Sequence, residues 1–222
     1  MKKITQIIML ACALASGMMG AEAEGGKSKS GFLLGVGLDT SFGATGGFFT
    51  LSEFIGFRRP ATATTARLIL GGQKYFTPGF GFDIKVRAGT GMLSFGSRSY
   101  DYNIRVTSGY STLSAGAEAN LLWDFLNKGR HSMGMSFGVG YDYIKASHIG
   151  LSSRTPNPPP ADLPTASKLS FGVLTPAIGL HYYSGPHQIA FIYGIGKIMD
   201  KLEMMFPPKL FFSSSFSYVY RF

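Results

Sequence analysis

Apolar and polar residues alternate with a period of two in segment after segment of this 222-residue chain. That period places one set of side chains on each face of a β-strand. In residues 32–42, Phe32, Leu34, Val36, Leu38, Thr40 and Phe42 share one face, against Leu33, Gly35, Gly37, Asp39 and Ser41. Phe80, Phe82, Ile84, Val86 and Ala88 likewise alternate with Gly81, Asp83, Lys85, Arg87 and Gly89. The pattern returns in residues 109–125, 133–143, 188–196 and 212–222. Two segments are less regular. Residues 63–75 put Ala66, Leu68 and Leu70 outward with Arg67 and Gln73 inward. In 168–183, Leu169, Phe171 and Val173 differ in parity from Leu174, Ile178, Leu180 and Tyr182. A phase change at Thr175-Pro176 is read there as a β-bulge, where proline is tolerated.

A soluble sandwich also alternates, so the choice rests on number, length and spacing. After the N-terminal segment no apolar run reaches 18 residues, which excludes helical membrane spans. There are 30 glycines and 19 phenylalanines, yet 15% of residues are charged. This suits strands that are apolar toward lipid and small or polar toward a lumen. Short connections at Phe76–Gly79, Leu126–His131 and Ser184–Pro186 alternate with long ones at 43–62, 96–108, 144–167 and 197–209. The expected fold is all-β: a transmembrane antiparallel up-and-down β-barrel of eight strands, with ten as the alternative. Both termini then lie on the side of the short turns, the periplasmic side. The 144–167 connection holds Asn157-Pro158-Pro159-Pro160, an extended spacer.

The N-terminus reads as a secretory signal peptide. Lys2 and Lys3 precede the uncharged run Ile4–Ala15, and Ala21-Glu22-Ala23 has small residues where a signal peptidase reads. Cleavage after Ala23 leaves 24–222 as the barrel, without Cys12, the one cysteine. The mature chain then has no disulfide or thiol chemistry. Acylation at Cys12 after Met9-Leu10-Ala11 is the alternative, at the cost of an apolar stretch, Ala13–Met19, at the mature N-terminus.

At the other end Phe216, Tyr218, Tyr220 and Phe222 recur at period two. Together with Tyr75-Phe76-Thr77-Pro78-Gly79 leading into Phe80–Gly89, this ending resembles the Helicobacter outer-membrane-protein family. The resemblance implies that the C-terminal aromatics signal to the outer-membrane assembly machinery. The family's large adhesins carry a long extracellular domain with cysteine pairs. This chain has neither, so their adhesin role is not implied.

By parity the lumen receives Asp39, Asp83, Glu118, Asp124 and Asp142 together with Arg67, Lys85, Arg87 and Arg221. An eight-stranded barrel is about wide enough for its side chains to fill it, and buried charges of both signs should pair. That favours a plugged barrel with a structural or surface-interaction role. The alternative is a small pore in which Lys85 and Arg87 select anions. A third reading is a lipid A-modifying enzyme, built from Ser147-His148 or Ser152 with Asp142. No motif supports that reading, and no Cys or His cluster has metal spacing. No cofactor is implied.

The predicted outer loops are basic: Arg58, Arg59, Arg98, Arg105, Lys145, Arg154, Lys168, Lys197, Lys201 and Lys209 face Glu53, Asp101, Asp162, Asp200 and Glu203. Beyond the lipid bilayer itself, lipopolysaccharide phosphates fit such charges; plain solvation is the competing reading. Nucleic acid is an unsuitable partner outside the cell, and oligomeric state is open. Residues 46–57 carry six large apolar residues. They read as a loop folded over the barrel mouth, or as an extra strand that would put Glu53 in lipid.

Deleting Phe222 is expected to lower insertion in cells while leaving refolding into detergent intact. Equal amounts of truncated and full-length protein in immunoblotted outer-membrane fractions would contradict this.

Overall fold

The computed structural model describes residues 29–44, 60–99, 104–153, 167–199 and 210–222. Eight strands form: β1 (Gly31–Ala44), β2 (Pro60–Thr77), β3 (Phe80–Ser99), β4 (Ile104–Lys128), β5 (His131–Ser153), β6 (Lys168–Ser184), β7 (His187–Ile198) and β8 (Leu210–Arg221). Each pairs antiparallel with its sequence neighbour, and β8 pairs antiparallel with β1. The sheet is therefore a closed up-and-down barrel. Closure removes both edges, so the strands satisfy their backbone groups without water.

The stagger can be followed around the ring. From His131 the pairing passes through Ser184, His187, Tyr220, Leu34, Leu70, Val86 and Ala117. It returns to β5 at Tyr141, ten residues further up the strand. Such a stagger goes with strands inclined by about 40° to the barrel axis.

Three two-residue turns, Pro78-Gly79, Gly129-Arg130 and Gly185-Pro186, close one end. Gly129 and Gly185 take φ of 57° and 60° at the first turn position. Positive φ there matches the twist of a hairpin, and glycine adopts it without strain. Lys29 and Phe222 lie at this same end, beside the turns.

The polarity of the molecule is inside out. Leu34, Val36, Leu38, Leu68, Leu70, Phe137, Val139, Ile178, Leu180 and Phe216 all stand exposed on the outer wall; Leu68 is 64% exposed. Asp39, Asp83, Lys85, Glu118, Asp124 and Asp142 are buried inside. An apolar belt this large needs lipid around it. Aromatic residues flank the belt. Phe76, Phe80, Trp123, Phe125 and Tyr182 lie toward the turn end, and Phe42, Tyr193 and Phe212 lie higher on the wall. The chain is an outer-membrane β-barrel.

The structure corrects several expectations. β6 has no phase slip. Leu169, Phe171 and Val173 point inward along with Thr175, Ala177, His181 and Tyr183, while Leu174, Ile178, Leu180 and Tyr182 point out. The β5–β6 register runs unbroken through Val139↔Pro176. Between β6 and β7 the ladder skips Thr175 and Pro176, yet Leu174↔Lys197 and Ala177↔Gly194 keep one register. Proline removes a donor from the ladder here without shifting it. The bulges lie elsewhere, at Tyr75/Thr77, Gly109/Tyr110 and Asp124/Leu126.

The strands also run further than their alternation predicts. β3 and β4 reach Ser99 and Ile104, so most of the expected 96–108 connection is strand. β5 continues to Ser153, which takes Lys145, Ser147 and His148 out of a loop and into a sheet. Lys168 and Lys197 are strand residues for the same reason. The 46–57 segment, the triple proline and Arg58, Arg59, Arg154, Lys201 and Lys209 lie outside the described residues.

Candidate functional site in the barrel lumen

Inward side chains fill the lumen in three layers. At the long-loop end the layer is apolar: Leu93, Phe95, Tyr110, Leu169, Phe171, Val173 and Phe211 are buried together with Ala61 and Ala146. Phe95 and Tyr110 meet edge to face, with ring centroids 5.7 Å apart. Six of these residues are large and apolar in a place where parity alone anticipates a polar lumen.

The middle layer is a chain of alternating charge that crosses β1 to β5. Arg67 Nε pairs with Asp39. Arg67 Nη1 donates to Asp142 Oδ1 at 2.8 Å, and Arg87 Nη2 donates to Asp142 Oδ2 at 2.8 Å. Arg87 Nη1 donates to Glu118 Oε2 at 2.5 Å. Lys85 Nζ lies 3.4 Å from Glu118 Oε1 and 2.8 Å from Asp83 Oδ2. Asn120 closes the chain by donating to Asp83 Oδ1 at 2.7 Å and to Glu118 Oε1 at 3.2 Å. Asp39, Arg67, Asp142, Arg87, Glu118, Lys85 and Asp83 thus form one continuous series in which every link joins opposite signs. Glycine makes room for it: a Cβ on Gly140 would lie 2.9 Å from Arg87 Nη2.

The third layer, at the turn end, centres on Asp124. Its carboxylate accepts from Lys29 Nζ at 2.5 Å, from the Tyr75 hydroxyl at 2.9 Å and from His181 Nε2 at 2.6 Å. The Tyr183 hydroxyl donates to Gln73 Oε1 at 2.8 Å. Arg221 stands apart from the middle chain. It donates to the carbonyls of Lys29 (3.0 Å) and Gly185 (2.9 Å), with its guanidinium 5.6 Å from the Tyr183 ring. The residues just before β1 tie this layer together. Lys29 also bonds Pro78 O and Asn127, its carbonyl accepts from Gln73 Nε2, and Ser30 Oγ accepts from Tyr75 N–H. They cross the lumen mouth from β8 to β4 like a strap.

Between the apolar and charged layers is a cavity of about 90 Å³. Ser41, Thr65, Thr112 and Ser114 line one side, and Ala177, Gly196, Ser213 and Ser215 the other.

All nine sequence-nominated charges therefore point inward, eight of them in ion pairs and Arg221 on carbonyls. Lys29, Tyr75, Asn120, His181 and Tyr183 complete the networks and were not singled out. Inward parity marks Tyr75, Asn120, His181 and Tyr183 alike; within β6 the misread phase affects Leu169, Phe171 and Val173. No local pattern marks Lys29, whose side-chain partners lie 49 to 98 positions away. The Ser147–His148–Asp142 grouping does not assemble: Ser147 faces out, His148 faces in, and Asp142 is held by two arginines. His148 stands six residues further up β5, about 20 Å away along the strand.

The C-terminal aromatics line the outer wall at the turn end. Phe216 and Tyr218 are exposed, Tyr218 shares a hydrogen bond of 2.6 Å with His187 Nδ1, and Tyr220 packs on Phe222 with centroids 4.9 Å apart. Phe222 N–H donates to Phe32 O, closing β8 onto β1.

No family model and no curated protein sequence matches the chain. Solved structures do. Neisserial surface protein A is similar at 13% identity and TM-score 0.46, over 87% of this chain and 98% of that one. The attachment invasion locus protein of Yersinia pestis gives 16% and 0.38, over 87% and 99%. The outer membrane protease OmpT from Escherichia coli gives 9% and 0.49, over 90% and 99%. These proteins include a protease, a surface protein and an attachment invasion locus protein, and at such values no function passes from any of them to this chain.

Glu118→Ala leaves Lys85 and Arg87 each short of a partner in a confined site. The unfolding free energy in urea is expected to fall by about 3–5 kcal/mol. A change below about 1 kcal/mol, the scale of exposed pairs, would contradict a paired and buried chain.

Proposed function

We propose that this chain is a sealed, non-enzymatic outer-membrane barrel whose role is structural or surface-interacting, with the long-loop end outside the cell. The observation that carries the reading is the filled lumen. An ion entering from the loop end would meet the apolar layer, then the charged series, then the strap of Lys29 and Ser30. Lys85 and Arg87 are each tied to two carboxylates, so neither offers free positive charge to an anion. On this reading residues 1–23 are removed on export and Phe216, Tyr218, Tyr220 and Phe222 are read by the assembly machinery. Small membership of the Helicobacter outer-membrane-protein family agrees with the Tyr75–Gly79 turn and the aromatic ending. Lipopolysaccharide is the proposed partner at the outer rim.

A pore is the second reading, favoured by the cavity beside Thr112 and Ser114. Planar-bilayer recording of the refolded protein separates the two. The sealed barrel is expected to show no steady conductance, in wild type or in Arg87→Ala. A conducting wild type whose ion selectivity changes with Arg87→Ala would overturn sealing and establish the pore.

A further inference from the structure

Charge is sorted by face in this barrel. Among the described residues all the carboxylates, Asp39, Asp83, Glu118, Asp124 and Asp142, point into the lumen and are paired there. The outer wall carries cations without acids. Lys145 on β5, Lys168 on β6 and Lys197 on β7 all face outward and are exposed. They stand on three consecutive strands, toward the long-loop ends, with exposed Leu113, Ile149 and Met199 near them.

The register brings two of them close. Lys145 is opposite Ser170, and Lys168 is opposite Ser147, so the two lysines are diagonal neighbours on one face. Diagonal positions across a ladder lie about 7–8 Å apart, within reach of long side chains. Like charges so placed repel, and no carboxylate among the described residues offsets them. Ser111, opposite Ser147 on β4, extends the patch with a further exposed hydroxyl. Lys197 is opposite Leu174, four positions along β6 from Ser170.

Two ammonium groups among three hydroxyls, toward the long-loop end of a lipid-facing wall, form a donor-rich cationic set with no carboxylate among the described residues to neutralise it. Phosphate supplies the missing charge and several acceptor oxygens. We propose that Lys145, Lys168 and Lys197, with Ser111, Ser147 and Ser170, form a docking surface for the phosphorylated headgroup of an outer-leaflet glycolipid. The surface is on the wall rather than in the loops, so the bound lipid stands beside β5, β6 and β7 as part of the annular layer. This rests on the orientation proposed above, because a glycolipid of that kind lies only on the outer side.

The test uses the mature protein refolded in detergent, with bisphosphorylated lipid A as probe and lipid retention read by native mass spectrometry. The triple variant Lys145→Ala/Lys168→Ala/Lys197→Ala is expected to bind roughly a hundredfold more weakly, from the usual gain per surface lysine near anionic lipid. Dephosphorylated lipid A should bind wild type as weakly as intact lipid A binds the triple variant. The double variant Lys74→Ala/Lys128→Ala, altered at the turn end, should bind like wild type. Equal retention by the triple variant and wild type would overturn the site, as would equal binding of dephosphorylated lipid or equal competition by phosphatidylglycerol. Loss of binding in the turn-end variant alone would overturn both the site and the proposed orientation; intact heat-modifiable mobility shows that each variant is folded.

Discussion

The pairing of charges inside a narrow barrel is the constraint on which the rest of this structure depends. A lumen formed by eight strands has little room for water, and an ion left there without a partner is costly. The chain meets this with a linear series from Asp39 to Asp83 in which each cation touches two carboxylates. Other features follow from that series. Glycines face it where a Cβ would strike a charged group, as at Gly140. Bulk shifts to the two ends, where aromatic and aliphatic residues pack at one and the Asp124 network spans the other.

The exterior is governed by the opposite requirement. Lipid solvates no backbone group, so the sheet must close on itself, and its outer face must be apolar across the hydrocarbon. Closure by Leu34↔Tyr220 and its neighbours on β1 and β8 meets the first demand, and the exposed belt meets the second. With every described carboxylate spent on the interior, the outer rim is left cationic. The inner salt series and the cationic outer wall are thus two sides of one distribution of charge.

Much of this was legible in the sequence because a period of two is rigid. Once Phe80, Phe82 and Ile84 are placed outward, Asp83, Lys85 and Arg87 must point in, and parity recovered the lumen charges on every strand that carries them. It failed where apolar residues point inward. Leu169, Phe171 and Val173 break the rule that the lumen is polar, and a bulge at Pro176 was the reading that rescued the rule. The structure keeps the register and abandons the rule, because that level of the lumen is filled by apolar side chains. Strand ends were also underestimated. Beyond the bilayer the outer face no longer has to be apolar, so residues such as Ser147 and Lys145 continue a strand without the signal that defines it. Lys29 was out of reach for a different reason: its partners come from β2, β4, β8 and a turn, and only the closed barrel assembles them.

The central claim is that the mid-lumen is closed to the bulk from both ends. A chain cleaved after Ala23 has no cysteine, so a single introduced thiol reports directly. Ser114 is 5% exposed and lines the cavity between the apolar and charged layers. In folded Ser114→Cys, a charged thiosulfonate reagent is expected to label negligibly, while the urea-unfolded protein and an outward-facing Ser111→Cys control label readily. Rapid labelling of folded Ser114→Cys, at a rate near that of Ser111→Cys, would contradict a sealed barrel.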